Sequence, residues 1–334
     1  YSFEASQAKI VSKDGYTFNN YEDKKLIIPP ILDESLGHRT HTRDPKVWKY
    51  KDRYSMALGS KFKQEGNDKF TGEVLFYTSN DGEQWTYKNR CYDDTIGDMW
   101  ECPDLFKVDG NYLLVMSPEN IISDDINYTN NSVYSIVDFD EENCDMKLIN
   151  KQKFLDEGLD LYAPQTTLDE FGNRVLIGWM RMPLTFEGEE WIGMMSLPRV
   201  INIRDNEVYF SVPEYIDKLF NKEVKLSEFD INEVYKLDVT LNKDSILNIG
   251  GYKISIIDDS IVADRTEVFP DIKRKGRVFK SSKLNERYDL SIYIDNGIIE
   301  MFINDGKYVI SNIVYGLKSK IELNNIETIK LLKL

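Results

Sequence analysis

The sequence predicts an all-β chain, a β-propeller followed by a β-sandwich, on three observations. A strand-opening motif recurs as Thr42-Arg43-Asp44-Pro45-Lys46-Val47-Trp48, then Trp100-Glu101-Cys102-Pro103-Asp104-Leu105-Phe106, then Asp160-Leu161-Tyr162-Ala163-Pro164-Gln165-Thr166. Its prolines, Pro45, Pro103 and Pro164, lie 58 and 61 residues apart. A turn motif recurs out of phase with the first, residues 10–18 being echoed by residues 77–85, 67 residues on. Past residue 225 the pattern changes to strict apolar alternation, as in Tyr235, Leu237, Val239 and Leu241. Self-similarity at a period of about 60 residues, with four strands to a unit, is the signature of propeller blades. Alternating short strands at regular intervals indicate a sandwich.

In chain order, residues 9–12 and 25–28 read as two strands around a turn, half of a repeat unit. Each motif copy is followed by a polar turn (Lys51-Asp52, Asp109-Gly110, Gly172-Asn173) and then an apolar strand at 54–59, 112–117 and 175–180. That spacing pairs the strands antiparallel. The units close near Asp94, near residue 156 and at residue 212. Apolar residues at 216, 219 and 220 suit a short helix. The predicted division is therefore 1–212, a partial propeller; 213–224, a linker helix; and 225–334, a sandwich, with a hairpin at Asp305-Gly306.

Composition narrows the partners. The 334 residues carry 57 acids and 42 bases, a formal charge of −15, which excludes the basic footprint that nucleic acid or an anionic membrane needs. No apolar run is long enough to span a bilayer. Three cysteines, Cys91, Cys102 and Cys144, make no disulfide framework and fit a reducing, cytoplasmic setting. With only His38 and His41, neither a zinc site nor a Ser-His-Asp relay has material, and no metal or cofactor is expected. A small neutral ligand is the expected partner.

In a propeller the residues before each proline sit where the innermost strands begin, so Asp44, Glu101 and the Asp160/Tyr162 pair are expected to line one carboxylate-rich funnel. Arg43-Asp44-Pro45-Lys46, the string from Trp100 to Phe106, Tyr162-Ala163-Pro164-Gln165-Thr166 with Gly178-Trp179-Met180, and Leu197-Pro198-Arg199 resemble the signatures of the invertase/levanase family of glycoside hydrolases, in order and spacing. The resemblance covers essentially the whole chain. It implies a five-bladed propeller plus sandwich that hydrolyses terminal β-fructofuranosyl bonds with retention, on sucrose, sucrose 6-phosphate or a fructan. By that resemblance Glu101 is the acid/base, Asp44 stabilises the transition state through the fructose hydroxyls, Arg43 holds the sugar, and Cys102, Tyr162 and Trp179 line the pocket. One carboxylic acid protonating the leaving oxygen while others offset an oxocarbenium charge is the chemistry such residues serve. For a phosphorylated substrate, the basic loop of His38, Arg39 and His41 is the expected anion contact.

The family's Asn-Asp-Pro-Asn-Gly nucleophile string does not occur in the sequence. The expectation is that the N-terminal blade and part of the second are absent from this chain, supplied either by a longer parent or by a separate N-terminal chain as partner. A non-catalytic carbohydrate-binding propeller descended from such an enzyme stays open as the alternative. The expected outcome of assaying the 334-residue chain on sucrose is near-background hydrolysis. Turnover at an ordinary enzymatic rate, roughly 1–10³ s⁻¹, would overturn it and direct the search for a nucleophile to Asp98, Asp104 and Asp160.

Overall fold

A computed structural model describes residues 3–19, 22–64, 66, 68–121, 129–273, 275–285 and 287–334. The regular secondary structure of the described chain is almost wholly β-strand, and the chain divides into two compact units. One is Tyr1–Ile121 with Val133–Lys153, and the other is Ile122–Ser132 with Phe154–Leu334. Among the described residues no helix is long and apolar enough to cross a membrane.

The first unit holds two antiparallel sheets, one of four strands and one of four consecutive strands with a short fifth added on Val133–Asp140. One runs Arg43–Tyr50, Arg53–Lys63, Phe70–Ser79, Thr86–Tyr92, and the other Met99–Val108, Asn111–Glu119, Val133–Asp140, Asp145–Leu148, each in sequence order. The turns form where the sequence marks them: Lys51, Asp109 and Gly110 take positive φ, and the Asp81 carboxylate accepts the amides of Glu83 and Gln84 at 2.8 and 2.9 Å. Arg53–Lys63 and Phe70–Ser79 are buried almost without a break, whereas the outer strand Thr86–Tyr92 alternates. That contrast follows from the packing, since Ala57, Val74 and Phe76 of one sheet share a core with Leu105, Leu114, Met116 and Val137 of the other.

A small sheet pairs Gln7–Lys9 with Lys25–Ile28. Its first strand lies upstream of the expected residues 9–12 for a local reason. Ser12 is drawn into a turn in which its Oγ donates to Asp14 and accepts the Gly15 amide, while Asp14 also accepts the amides of Tyr16 and Thr17. Side-chain acceptors of this kind compete with strand pairing.

The second unit contains a five-stranded sheet, with Leu161–Leu168, Arg174–Met180, Arg199–Arg204 and Glu207–Ser211 in order and the short Met194–Met195 paired to Arg174–Met180, and a nine-stranded sheet. Between them, residues Glu214–Asp217 make a single helical turn, and Lys222–Val224 already pairs with Ile321–Lys333. The long strand Tyr235–Ile249 organises the rest. Its first part pairs with Asp289–Asp295, its last with Tyr252–Ile257, and both parts pair with Ile321–Lys333 across an irregularity between Thr240 and Ile246. A ladder broken there folds over itself into a sandwich. The predicted alternation holds, with Tyr235, Leu237, Val239 and Leu241 buried beside Leu290, Ile292 and Ile294.

Two buried arginines tie loops to this sandwich. Arg199 donates to Asp156 and Glu300, both at 2.8 Å. Arg265 is ion-paired with Asp160, donating Nη2 to Oδ1 at 3.2 Å, and Asp160 also accepts the Ile313 amide at 2.8 Å. Asp160 is thus fully buried and engaged, which corrects its expected place in an open funnel.

In the first unit, Glu73 lies fully buried on Phe70–Ser79, with one oxygen 3.5 Å from Arg90 and the other without a hydrogen-bond partner. Burial pushes its pKa up from 4.5 to about 8, against the weaker opposing pull of Arg90. The folded state therefore keeps a proton that the unfolded chain releases. Stability is fully expressed below about pH 4.5 and is lost as pH rises toward about 8. Glu73→Gln is expected to flatten this dependence. Urea midpoints of both proteins measured across that window check it, and parallel slopes would contradict it.

Candidate active site

The repeated motif has one structural meaning. In each innermost strand the residue before proline takes positive φ, 62° at Asp44, 50° at Cys102 and 48° at Ala163. Each sits in a register shift, between Arg43 and Lys46, Glu101 and Asp104, and Tyr162 and Gln165. Proline cannot donate to a ladder, so the bulge absorbs it. A left-handed non-glycine residue costs about 1–3 kcal/mol and persists only where its surroundings hold it.

The first two bulges hold each other. The Asp44 carboxylate accepts the Cys102 amide at 3.0 Å and its thiol at 3.5 Å. Beside that contact Arg43 donates to Glu101 Oε1 from Nη2 at 2.6 Å and Nε at 3.2 Å, and from Nη2 to Glu119 Oε1 at 3.3 Å. Burial opposes the charge on Arg43, yet the Glu101, Asp44 and Glu119 carboxylates raise its pKa. Burial and the charge of Glu101 raise that of Glu119. Lys46 pairs at 2.9 Å with the buried Asp104.

Trp100 fixes the position of Glu101. It is wholly buried and donates its indole N–H to the Ile96 carbonyl at 2.6 Å. Two glycines make the socket: a Cβ on Gly59 would lie 2.2 Å from the Trp100 carbonyl oxygen, and one on Gly72 would lie 2.3 Å from the indole. The sequence motif marks Trp100 but does not reveal its socket, because Gly59 and Gly72 sit on the other sheet.

The structure thus brings together Arg43, Asp44, Glu101 and Cys102 in the first unit. Tyr162 and Trp179 stand opposite each other across two strands of the second. There Tyr162 is buried beneath the Arg181 guanidinium, 4.7 Å from its ring, while Trp179 is 44% exposed. Glu119 was not singled out from sequence. Counting along the hairpin from Asp109-Gly110 places it opposite Trp100, but the bulge at Cys102 shifts the register by one and pairs it with Met99.

Three side chains of the loop before Arg43 are engaged in ways the sequence concealed. Arg39, an expected phosphate contact, is ion-paired with Glu4. His38 and His41 pack edge to face with centroids 4.8 Å apart, and His41 Nδ1 lies 3.2 Å from Arg43 Nη1. Burial, and then the charge of Lys61, holds both imidazoles below their usual range. A separate cleft of about 760 Å³ in the second unit is lined by Asp217, Lys236, Asp238 and Tyr293. Its charges satisfy one another, Lys236 pairing with Asp217 and Asp238.

Residues 2–213 match the N-terminal domain of glycosyl hydrolases family 32, and residues 253–332 match that family's C-terminal domain. The chain belongs to glycosyl hydrolases family 32. Among family relatives, the sucrose-6-phosphate hydrolase of Vibrio alginolyticus is 32% identical over 306 residues, 84% of this chain and 61% of its own length. The chain therefore spans less than two thirds of that relative. The solved sucrose-6-phosphate hydrolase of Lactobacillus gasseri aligns with a TM-score of 0.82 at 22% identity, covering 98% of this chain and 72% of its own. A GH32 β-fructofuranosidase of Bombyx mori gives 0.81 at 24%, with the same coverage. The family 32 fold, a propeller followed by a C-terminal sandwich, is the fold the chain shares with them.

All three cysteines are free. Burial pushes the Cys91 thiol up to about 12 and raises Cys144; burial and then Asp44 raise Cys102. A thiol held protonated is a poor nucleophile. The native protein is expected to resist iodoacetamide at mildly alkaline pH and to take three adducts when denatured, read by intact mass. Rapid single labelling of native Cys102 would contradict this.

Proposed function

We propose that the protein cleaves terminal β-fructofuranosyl bonds, with sucrose 6-phosphate as the substrate class to which its relatives' names point. The observation that carries this reading is the joining of two strand bulges by Asp44, which sets Glu101 against Arg43 beside a second carboxylate. In this reading Glu101 delivers its proton to the glycosidic oxygen as the bond to the fructosyl carbon breaks, and a water oxygen finally bonds that carbon while its proton returns to Glu101. The positive charge that develops on the sugar is offset by Asp44. Once Glu101 is protonated its attraction for Arg43 weakens, leaving the guanidinium on Glu119 and free to turn toward sugar hydroxyls. Cys102 is assigned to the pocket wall in the first unit, and Tyr162 and Trp179 are assigned as sugar-contacting residues of the second.

The functional division follows the sequence reading, with 1–212 as the catalytic propeller portion, 213–224 as linker and 225–334 as sandwich. Family-profile matches ending at 213 and beginning at 253 support it. A cytoplasmic setting suits the three free thiols and a charged substrate that does not cross a bilayer unaided.

Glu101→Gln in the intact protein is the direct test. General acid catalysis supplies about 10²–10⁴-fold, so kcat is expected to fall within that range while KM changes little. A fructoside whose leaving group needs no proton is expected to lose less. Unchanged kcat removes Glu101 from the mechanism. Fructoside binding without turnover in a full-length protein that carries the nucleophile string would favour the non-catalytic alternative.

A further inference from the structure

Lys61 stands out by its electrostatics. It is only 9% exposed, in a chain whose formal charge is −15. Its ammonium lies 4.6 Å from the centre of the Phe70 ring, and no carboxylate among the described residues forms an ion pair with it. A cation-π contact offsets only part of the cost of desolvating an ammonium, which calls for a counter-ion.

Around it cations and imidazoles gather, with Glu119 the carboxylate that feels Lys61 and Glu34 the one that feels His38. Lys63 lies 5.0 Å from the same ring, and His38 packs edge-on to that ring at 5.1 Å. His38 meets His41, His41 meets Arg43, and Arg43 holds Glu101. An unbroken run of contacts therefore leads from Glu101 to Lys61 within one unit. The strand register explains the placement: Arg43 pairs with Gly59, so Lys61 and Lys63 continue that strand beyond Arg43, on the edge opposite Gly72 and Phe70. With Arg39 engaged by Glu4, the cations available here are Lys61 and Lys63, with the two imidazoles between them and the acid.

We propose that Lys61, flanked by His38 and His41, forms an anion subsite that takes the phosphate of a phosphorylated leaving group whose glycosidic oxygen faces Glu101. The assignment rests on the fructosidase reading above and specifies its substrate end. A phosphate monoester places oxygens where ammonium and imidazole can both donate, and hydrogen bonds between charged groups are the stronger kind. Burial, and then Lys61, lowers the pKa of both imidazoles, against Glu34 at His38 and Glu101 at His41; an arriving dianion opposes that lowering.

The experiment compares the unmodified intact protein with Lys61→Gln and Lys61→Arg. The readout is the ratio of kcat/KM for sucrose 6-phosphate to that for sucrose. The ratio is expected to fall about 10- to 100-fold in Lys61→Gln, as for losing a hydrogen bond to a charged group, chiefly through KM, and to be largely kept in Lys61→Arg. An unchanged ratio in Lys61→Gln overturns the subsite. Titration with inorganic phosphate, followed calorimetrically, needs no turnover. Binding by the unmodified protein and Lys61→Arg but not by Lys61→Gln supports the site, and equal binding by all three overturns it. Phosphate binding without any preference for the phosphorylated sugar makes it a free-anion site and overturns the ligand assigned. If neither sugar is cleaved, the fructosidase reading fails while the titration still decides the subsite. Thermal unfolding of Lys61→Gln checks that its losses are not losses of fold.

Discussion

A left-handed residue ahead of a proline is the constraint on which the molecule is built. It recurs at Asp44, Cys102 and Ala163, each time at the start of an innermost strand. The proline removes a ladder donor and the bulge re-aims the neighbouring side chain, so a backbone defect becomes a way of presenting chemistry. In the first unit the two defects stabilise one another, the carboxylate of one accepting the amide of the next. The strain is offset by a hydrogen bond to a charged acceptor, which is worth more than a neutral one. Trp100, seated over two glycines, keeps that arrangement from drifting.

Much of this was legible in the sequence because it depends on local signals. The prolines, the Asp109-Gly110 turn and the alternation from Tyr235 to Leu241 act within a few residues, and the structure follows them. What stayed hidden depends on partners far along the chain. Asp160 opens the third copy of the motif, four residues before Pro164, but Arg265, from the sandwich, claims its carboxylate. Glu119 and Lys61 escaped notice because a one-residue bulge changes which side chains meet at the strand ends. Arg39 looked available in a basic loop, and only the folded chain brings Glu4 to it.

The buried cations give these observations a common form. Arg43, Arg199 and Arg265 each hold carboxylates from a different strand or loop. Such pairs contribute little net stability relative to apolar packing, yet breaking one leaves an uncompensated charge. They work as address labels, fixing which loop docks on which strand. Arg43 differs in being only partly withdrawn from solvent. The pair proposed as functional and the structural ones share the same chemistry and differ in exposure.

The long strand from Tyr235 to Ile249 has a consequence for how the protein is made. Its hydrogen-bonding edge is completed only by Ile321–Lys333, with Tyr235 pairing to Lys333. A ribosome delivers residues in order, so the first half of the sandwich emerges with that edge bare and waits through the synthesis of every intervening strand. Unpaired edges invite association with other chains, and contacts this distant in sequence form late. The nascent sandwich is therefore the segment of this polypeptide most dependent on shielding by cellular holdases during translation.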